Sequence, residues 1–306
     1  MTSVLSSKHY HDEDAAFAYV ERHVWPNGPT CPHCGGVDRI SKMAGNATRK
    51  GLHKCYQCRK QFTVRQGTIF ESSHVPLHIW LQAIFFVAGS KKGISSNQLH
   101  RTLGVTLKTA WFMSHRIREA MRSGDLAPLG GDGGVVEVDE TFIGMRKGAV
   151  RTHAAWHKMP VLALVHRESG QARSFVVDKA TREFILPIVQ ANVDRETYIM
   201  TDESRIYTGA HFQYLGHGTV NHHAGEYGRG RIHTNTVEGY FSIFKRGMKG
   251  VYQWCAEKHL HRYLAEYDFR YNNRAALGCN DTDRADALLR GIVGKRLTYQ
   301  TASARA

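Results

Sequence analysis

Residues 135–139 read Val-Val-Glu-Val-Asp, and this short stretch decides the fold class of the chain. Its alternation predicts a strand in which Val136 and Val138 face one side while Glu137 and Asp139 face the other. Apolar runs at 161–165 and 174–177, a helical pattern around 182–191 and a strand at 198–202 follow it. Strands that alternate with a helix predict an α/β domain.

Three acidic residues stand at notable places in this α/β region. Asp139 and Asp202 each end a predicted strand, and Glu238 lies in the first turn of a helix predicted after residue 233. Because Mg²⁺ prefers oxygen ligands, three carboxylates together suit a site for divalent cations. Lys245 follows Glu238 by seven residues, which is two helical turns, and therefore shares its face of the helix.

Each acid also has an ordinary structural interpretation. Asn235 is a good N-cap for the predicted helix, and Glu238 three residues later could complete a capping arrangement with it. Asp139 and Asp202 could each cap a turn at the end of a strand. The residues alone leave both interpretations open.

Four of the six cysteines form two Cys-x-x-Cys pairs separated by twenty residues. Thiolates two residues apart can supply two corners of a tetrahedron, so this spacing predicts a structural zinc site rather than disulfides. The expected ligands are Cys31, Cys34, Cys55 and Cys58.

A helix-turn-helix is predicted after the cysteines. Ser95 and Gln98 form a capping signature, Gly104 ends the first helix, and Thr106 caps the second. The alternative is a small bundle used for packing or dimerisation. If the second helix enters a major groove, the residues expected to contact DNA are Lys108, Thr109 and Arg116.

The positive charge of the chain is concentrated around this predicted motif. The whole chain has a formal net charge of +14, and residues 40–125 hold fourteen Lys and Arg against three Asp and Glu. Such a block attracts polyanions by releasing their counterions, so residues 40–125 are expected to bind double-stranded DNA. A merely soluble basic surface is the alternative.

A membrane location is not expected. The longest apolar stretch, 79–89, is shorter than the roughly 18–20 residues that a membrane span needs, and the first residues lack a basic and then apolar leader. We therefore expect a cytoplasmic protein, associated with the bacterial nucleoid when it is bound to DNA.

An ordered set of motifs resembles one family along nearly the whole chain, from about residue 15 to about residue 291. The motifs are VEVDETFIG (136–144), MTDES (200–204), HTNTVEGYFSIFKRGMKGVYQ (233–253) and EKHLHRYLAEYDFRYNNR (257–274). They resemble DDE transposases of bacterial insertion sequences, in the ISXO-like branch that carries an N-terminal zinc ribbon.

The resemblance implies a multidomain α/β protein with a ribonuclease-H-like catalytic domain, a mixed sheet flanked by helices. Together with the residue patterns, the resemblance divides the chain into four expected segments. We expect a zinc ribbon at 15–70, a helix-turn-helix region at 71–125, the catalytic domain at 134–294 and a flexible tail at 295–306.

The resemblance also implies a chemistry. When the family's catalytic residues are carried over motif by motif, they fall on Asp139, Asp202, Glu238 and Lys245. The three acids would bind two magnesium or manganese ions that activate water against a phosphodiester at a transposon end, and the freed 3′-OH would then attack target DNA. Lys245 would contact a phosphate near the scissile bond, and Asn235 is the runner-up for the third metal ligand.

The expected activity is thus that of a transposase acting as a homo-oligomer on DNA. The alternatives are a DNA-binding regulator with an inactive nuclease-like domain and a nuclease that cleaves DNA without joining it. Mg²⁺-dependent nicking separates the regulator from the enzymes, and strand transfer separates the two enzymes.

Overall fold

The computed structural model describes residues 3–298 apart from 123, 125, 152–154 and 211–212. The chain forms two compact units. The first contains Met1–Ser90, Ile94–Arg122 and Cys279–Ala306, and the second contains Lys91–Gly93 and Ser123–Gly278. No helix among the described residues is long and apolar enough to cross a membrane.

The first unit begins with helix α1 (Glu13–Val24) and a small antiparallel sheet in the order β1-β2-β3. The strands are β1 (Ile40–Lys42), β2 (His53–Cys55) and β3 (Gln61–Phe62). Cys31, Cys55 and Phe62 form the buried centre of this part. So small a sheet buries little apolar area, which is why a metal is expected to stabilise it.

The rest of the first unit is helical. It contains α2 (Leu77–Gly89), α3 (Ser96–Leu103), α4 (Leu107–Met121) and α8 (Asp281–Arg290), and α8 packs against α2. The predicted caps are confirmed. Ser95 Oγ accepts from the Gln98 N–H at 3.2 Å, Gly104 closes α3 with φ +66°, and Thr106 Oγ1 accepts from the Thr109 N–H at 3.2 Å.

The second unit is built on a five-stranded mixed sheet in the order β6-β5-β4-β7-β8. Strand β4 pairs antiparallel with β5 and parallel with β7. The strands are β4 (Gly134–Ile143), β5 (Met159–His166), β6 (Ala172–Val176), β7 (Thr197–Asp202) and β8 (Gly216–Val220). The sequence patterns anticipated all of these except β8, whose residues include two glycines.

Helices cover both faces of this sheet. They are α5 (Arg182–Asn192), α6 (Asn235–Gly247) and α7 (Glu257–Asn272). Along β5, Val161 and Val165 pack in one core cluster with α6 and α7, whereas Leu162 and Leu164 pack in another with α5. Because successive side chains of a strand point to opposite faces, β5 is buried on both sides. The mixed sheet between helices is the ribonuclease-H-like arrangement that the resemblance implies.

Two expected boundaries need correction. The catalytic domain was expected to run over 134–294, but α8 belongs to the first unit, where Leu288 and Leu289 are buried. The flexible tail was expected from residue 295, but the Lys295 ammonium donates to Ala120 O at 3.2 Å, and Leu297 O accepts from Arg116. The remainder of that tail, 299–306, lies outside the described residues.

Candidate active site and metal centre

The four predicted zinc ligands meet at one point. Their sulfur atoms all lie within 4.8 Å of one another. Cys31 Sγ is 3.7 Å from Cys58 Sγ, and Cys34 Sγ is 3.8 Å from Cys55 Sγ. A tetrahedron with zinc–sulfur bonds of about 2.3 Å has edges of about 3.8 Å, so the cysteines fit a zinc ion.

Local backbone geometry explains why these cysteines converge. Gly35 has φ +72° and donates to Cys31 O at 2.9 Å, which closes the tight turn between the first two cysteines. In the second pair, hydrogen bonds from the backbone N–H groups of Cys58 and Gln57 lower the pKa of Cys55 to about 7. A thiol that ionises more readily is a better zinc ligand.

Two of the three predicted carboxylates are brought together by strand register. Glu137 of β4 pairs with Met200 of the parallel strand β7. Glu137 and Met200 are the last paired residues, and Asp139 and Asp202 each follow two residues later on their own strand. The prediction that each aspartate ends a strand is confirmed for Asp202, the last residue of β7, and is wrong for Asp139, because β4 continues to Ile143. The parallel pairing makes the two strands neighbours.

The other predicted site residues act electrostatically on Asp139. Burial is the main cause that raises the pKa of Asp139 to about 7, and the negative charges of Asp202 and Glu238 contribute to the rise. A hydrogen bond from the Glu140 backbone N–H and the positive charge of Lys245 oppose it. All four predicted catalytic residues are therefore close enough to interact electrostatically.

These carboxylates are less tightly gathered than the cysteines. Within the described residues, the cysteine cluster is the one group of three or more His, Cys, Asp and Glu side chains placed closely enough to hold an ion. Asp202 also makes the turn-capping contact that was its alternative interpretation, since its Oδ1 accepts from the Ser204 N–H at 3.0 Å. That hydrogen bond uses one oxygen of the carboxylate.

Glu238 lies in the first turn of α6 with its side chain 43% exposed. Its Oε1 accepts from the Thr234 hydroxyl at 2.8 Å and lies 3.5 Å from His222 Nε2. The expected capping partner is wrong by one position, because Thr234 is the N-cap and Asn235 is the first helical residue. Asn235 is exposed and makes no side-chain cap bond in the described structure.

The N-terminus of α6 is capped by Glu137, which the sequence did not single out for this role. Its fully buried carboxylate accepts from the Thr236 N–H at 2.8 Å and from the Val237 N–H at 2.9 Å. An acidic group at a helix N-terminus satisfies free N–H groups and is stabilised by the helix dipole. Glu137 thus attaches the helix of Glu238 to the strand of Asp139.

Arg167 completes this attachment. Its Nε donates to Glu137 at 2.5 Å, and its other nitrogens donate to Arg231 O at 2.7 Å and to His233 O at 2.6 Å. The buried carboxylate therefore has an opposite charge and a full set of donors, which a buried ion requires. A long sequence separation hid this pair, because Arg167 is thirty residues from Glu137.

Glu140 adds a further acid beside the predicted pair. Burial raises the pKa of Glu140 to about 8, a hydrogen bond from the Tyr207 hydroxyl opposes the rise, and the charges of Asp139 and Asp202 add to it. The place of Glu140 in the VEVDE motif could have marked it as a site residue. Its buried partner Tyr207 could not be found in this way, because it lies in a segment after β7.

The three residues expected to contact DNA differ in availability. Lys108 is exposed and Thr109 is half-buried near the start of α4. Arg116 is 4% exposed, and its guanidinium donates to Ile69 O and Glu71 O, both at 2.7 Å. The expectation for Arg116 is therefore corrected: this arginine holds the first unit together.

Two family models match the chain. A transposase zinc-ribbon domain matches residues 11–61, and an ISXO2-like transposase domain matches residues 131–272. The first match contains the four cysteines, and the second contains all three acids and Lys245.

Among other proteins, the chain is also similar to a curated relative and to solved structures. An uncharacterized protein in transposable element ISH50 of Halobacterium salinarum is 27% identical over 269 residues, which cover 80% of this chain and 86% of the relative. A chain of the simian T-cell lymphotropic virus intasome, in complex with PP2A regulatory subunit B56 gamma, is 14% identical with a TM-score of 0.28. The match covers 60% of this chain and 64% of that one, which is less than two thirds of that chain's length.

Proposed function

The chain belongs to the transposase family whose ISXO2-like domain and zinc ribbon it carries, and on that premise we propose that it cuts and joins DNA. It binds transposon ends, cleaves a phosphodiester bond and joins the freed 3′-OH to target DNA, acting as a homo-oligomer. The observation that supports this proposal best is that Asp139 and Asp202 lie on adjacent parallel strands, while Glu137, two residues before Asp139, caps the helix that carries Glu238 and Lys245.

The carboxylates of the acidic site have the donor chemistry that a divalent metal prefers, although among the described residues they do not converge as closely as the four cysteines do. Asp139 is largely buried among negative charges, so its ionised form is disfavoured until a cation compensates it. Carboxylate oxygens are the ligands that magnesium and manganese prefer, and Asp139, Asp202 and Glu238 are the residues that would hold them. Such ions, when bound, supply an activated water and stabilise the leaving 3′ oxygen.

The protein's own residues do the positioning. Glu137 and Arg167 fix the start of α6, so that Glu238 is presented toward the strand that carries Asp139. Lys245, two turns further along the same helix, is placed to contact a DNA phosphate as a point charge. Thr234 restrains the Glu238 carboxylate by a hydrogen bond of 2.8 Å.

A nicking assay tests the proposal. The substrate is a supercoiled plasmid that carries the DNA sequences flanking the gene. Nicking is measured with Mg²⁺ and, for comparison, with a chelator that binds Mg²⁺ but is too weak to remove the zinc. We expect Mg²⁺-dependent nicking that falls on the order of 100-fold or more in Asp139→Asn while DNA binding is retained.

Two results would contradict the assignment. Nicking by Asp139→Asn at the wild-type rate would remove this residue from the site. DNA binding by the wild-type protein without Mg²⁺-dependent nicking would favour a DNA-binding regulator with an inactive nuclease-like domain.

A further inference from the structure

Two of the chain's five tryptophans are widely exposed, and both belong to the second unit. Trp156 is 75% exposed and Trp254 is 71% exposed. The other three are buried or half-buried. Tryptophan is highly buried on average, so two large exposed indoles in one unit suggest a binding surface.

Arg146 brings the two tryptophans to one corner of the unit. Its backbone N–H donates to His157 O at 2.8 Å, and its Nε lies 3.5 Å from Glu257 Oε1. His157 follows Trp156 directly, and Glu257 comes three residues after Trp254. Trp156 and Trp254 are therefore close in sequence to residues that contact the same arginine, one by a hydrogen bond and one by an ion pair. We call the surface formed by Trp156, Trp254 and Arg146 the tryptophan corner.

Trp254 is held out by a strained turn. Gln253 has φ +60° and ψ −44°, and the Trp254 N–H donates to Tyr252 O at 2.6 Å, which together define a γ-turn of the rare positive-φ type. The turn is anchored on both sides: the Tyr252 hydroxyl donates to Glu266 at 2.5 Å, and Cys255 is only 7% exposed. Strain that the surroundings maintain is typical of functional positions.

The two segments that contain the tryptophan corner are rich in basic residues. Residues 144–158 and 245–258 together contain eight Lys and Arg but one acid, Glu257, which already pairs with Arg146. The basic set is Arg146, Lys147, Arg151, Lys158, Lys245, Arg246, Lys249 and Lys258. Lys245 belongs to the candidate active site, so the basic segment begins at that site and continues to Trp254.

Basic side chains with exposed aromatic rings are the chemistry that recognises single-stranded nucleic acid. The cations contact phosphates, and the rings stack on base faces, which every base offers once it is unpaired. Bases inside a duplex are already stacked on their neighbours, so their faces are closed to an indole. The tryptophan corner therefore fits unpaired DNA better than intact duplex.

We propose that Trp254 and Trp156 stack on unpaired bases of the DNA strand next to the candidate active site. This inference rests on the proposed DNA cleavage, because cleavage places a strand end beside Lys245. The basic residues near the tryptophan corner contact the phosphates of the DNA strand, and its two indoles hold the unpaired bases by stacking.

Binding measurements on the full chain test the inference without requiring catalysis. Fluorescence anisotropy is measured in the absence of Mg²⁺ with a labelled blunt duplex and with the same duplex carrying a short single-stranded 3′ overhang. We expect Trp254→Ala and Trp156→Ala each to weaken binding of the overhang duplex roughly ten-fold, and to leave the blunt duplex within about two-fold. Trp254→Phe, which keeps a ring, retains most of the affinity.

Val150→Ala is the matched control, because Val150 is an exposed apolar side chain of the same basic segment without a ring. Its affinities are expected to equal those of the wild type. Wild-type affinity of both tryptophan variants for the overhang duplex would overturn the inference, as would an equal loss for both substrates. A wild-type chain that binds neither DNA would overturn the proposed function as well, whereas binding without an effect of the tryptophans overturns this inference alone.

Discussion

Single residues decide how the acidic site works, and Glu238 is the clearest case. Its carboxylate contacts Thr234 and His222 and is partly exposed, whereas Glu137 caps the helix on which it lies. The contacts of Glu238 therefore add little to the end of α6. Its negative charge contributes to the raised pKa of Asp139, and on this basis we propose it as a metal ligand.

Glu238→Gln is expected to reduce Mg²⁺-dependent cleavage on the order of 100-fold or more and to change the free energy of unfolding by no more than about 1 kcal/mol. The reason is that the change removes a charge and keeps the shape. Per-molecule cleavage rates and urea unfolding measure the two effects.

Asn235→Ala is the matched control, because Asn235 is exposed and does not cap α6. It should leave both cleavage and stability near the wild-type values. If a folded Glu238→Gln still nicks DNA while Asn235→Ala does not, the third ligand is Asn235.

Asp268 gives the second unit a pH-dependent stability. It accepts from the Ser174 N–H at 2.9 Å and from the Tyr240 hydroxyl at 2.5 Å, and burial raises its pKa to about 7 against an ordinary value of 3.8. Between these values the folded chain holds a proton that the unfolded chain has lost. Its stabilising contribution is therefore complete below about pH 3.8 and is lost as the pH rises through about 7.

We expect the wild type to lose on the order of 2 kcal/mol of stability relative to Asp268→Asn between about pH 5 and about pH 8. Asparagine cannot titrate, so the difference between the two unfolding free energies isolates this one group. Parallel pH profiles of the two proteins would show that Asp268 keeps an ordinary pKa.

At the scale of elements, the zinc ribbon depends on its metal. Strands β1, β2 and β3 contain two or three residues each, and their buried centre is built largely on cysteine sulfurs. Structural zinc contributes on the order of 10 kcal/mol in small domains of this kind.

Cys31→Ser is therefore expected to lower the zinc content and to remove amide-exchange protection from residues 30–62. Cys279→Ser is the control, since Cys279 is a cysteine of the same unit outside the cluster. Zinc content by mass spectrometry under native conditions and hydrogen exchange measure the two effects. Full protection of 30–62 after verified loss of zinc would contradict the structural role of the metal.

Helix α4 shows where sequence patterns succeed and fail within one element. Its N-cap, Thr106, followed from the residue pattern, and Ala110, Met113 and Ile117 are among its buried residues. Helical spacing puts Arg116 on another face than Ala110, Met113 and Ile117, which is why the sequence predicts a DNA contact for it. In the structure, carbonyl oxygens from before and after the helices enclose it, and such partners leave no local sequence signal.

At the scale of the whole molecule, the chain returns to its first unit after it completes the second. Helix α8 packs on α2, and Leu288 is fully buried there. Leu288→Ala is expected to lower the unfolding free energy of the first unit by about 2–5 kcal/mol, because it leaves a cavity in that core.

Amide exchange, which reports the two units separately, measures this effect. Arg290→Ala on the exposed side of the same helix should change stability by about 0.5 kcal/mol or less. Loss of protection confined to residues 134–278 would place α8 with the catalytic domain, as the sequence alone suggested.

The amino-acid sequence by itself determined the zinc ligands, the caps of α3 and α4, the alternating strands and the positions of the three acids. These features depend on residues close together in the chain, where spacing and turn chemistry leave a direct signal. Only the tertiary structure decided that the strands of Asp139 and Asp202 are neighbours, that Glu137 and Arg167 hold α6, and that α8 joins the first unit. Those outcomes depend on strand order and on contacts between distant segments, because a buried charge or an apolar helix face must find its partner wherever the folded chain provides one.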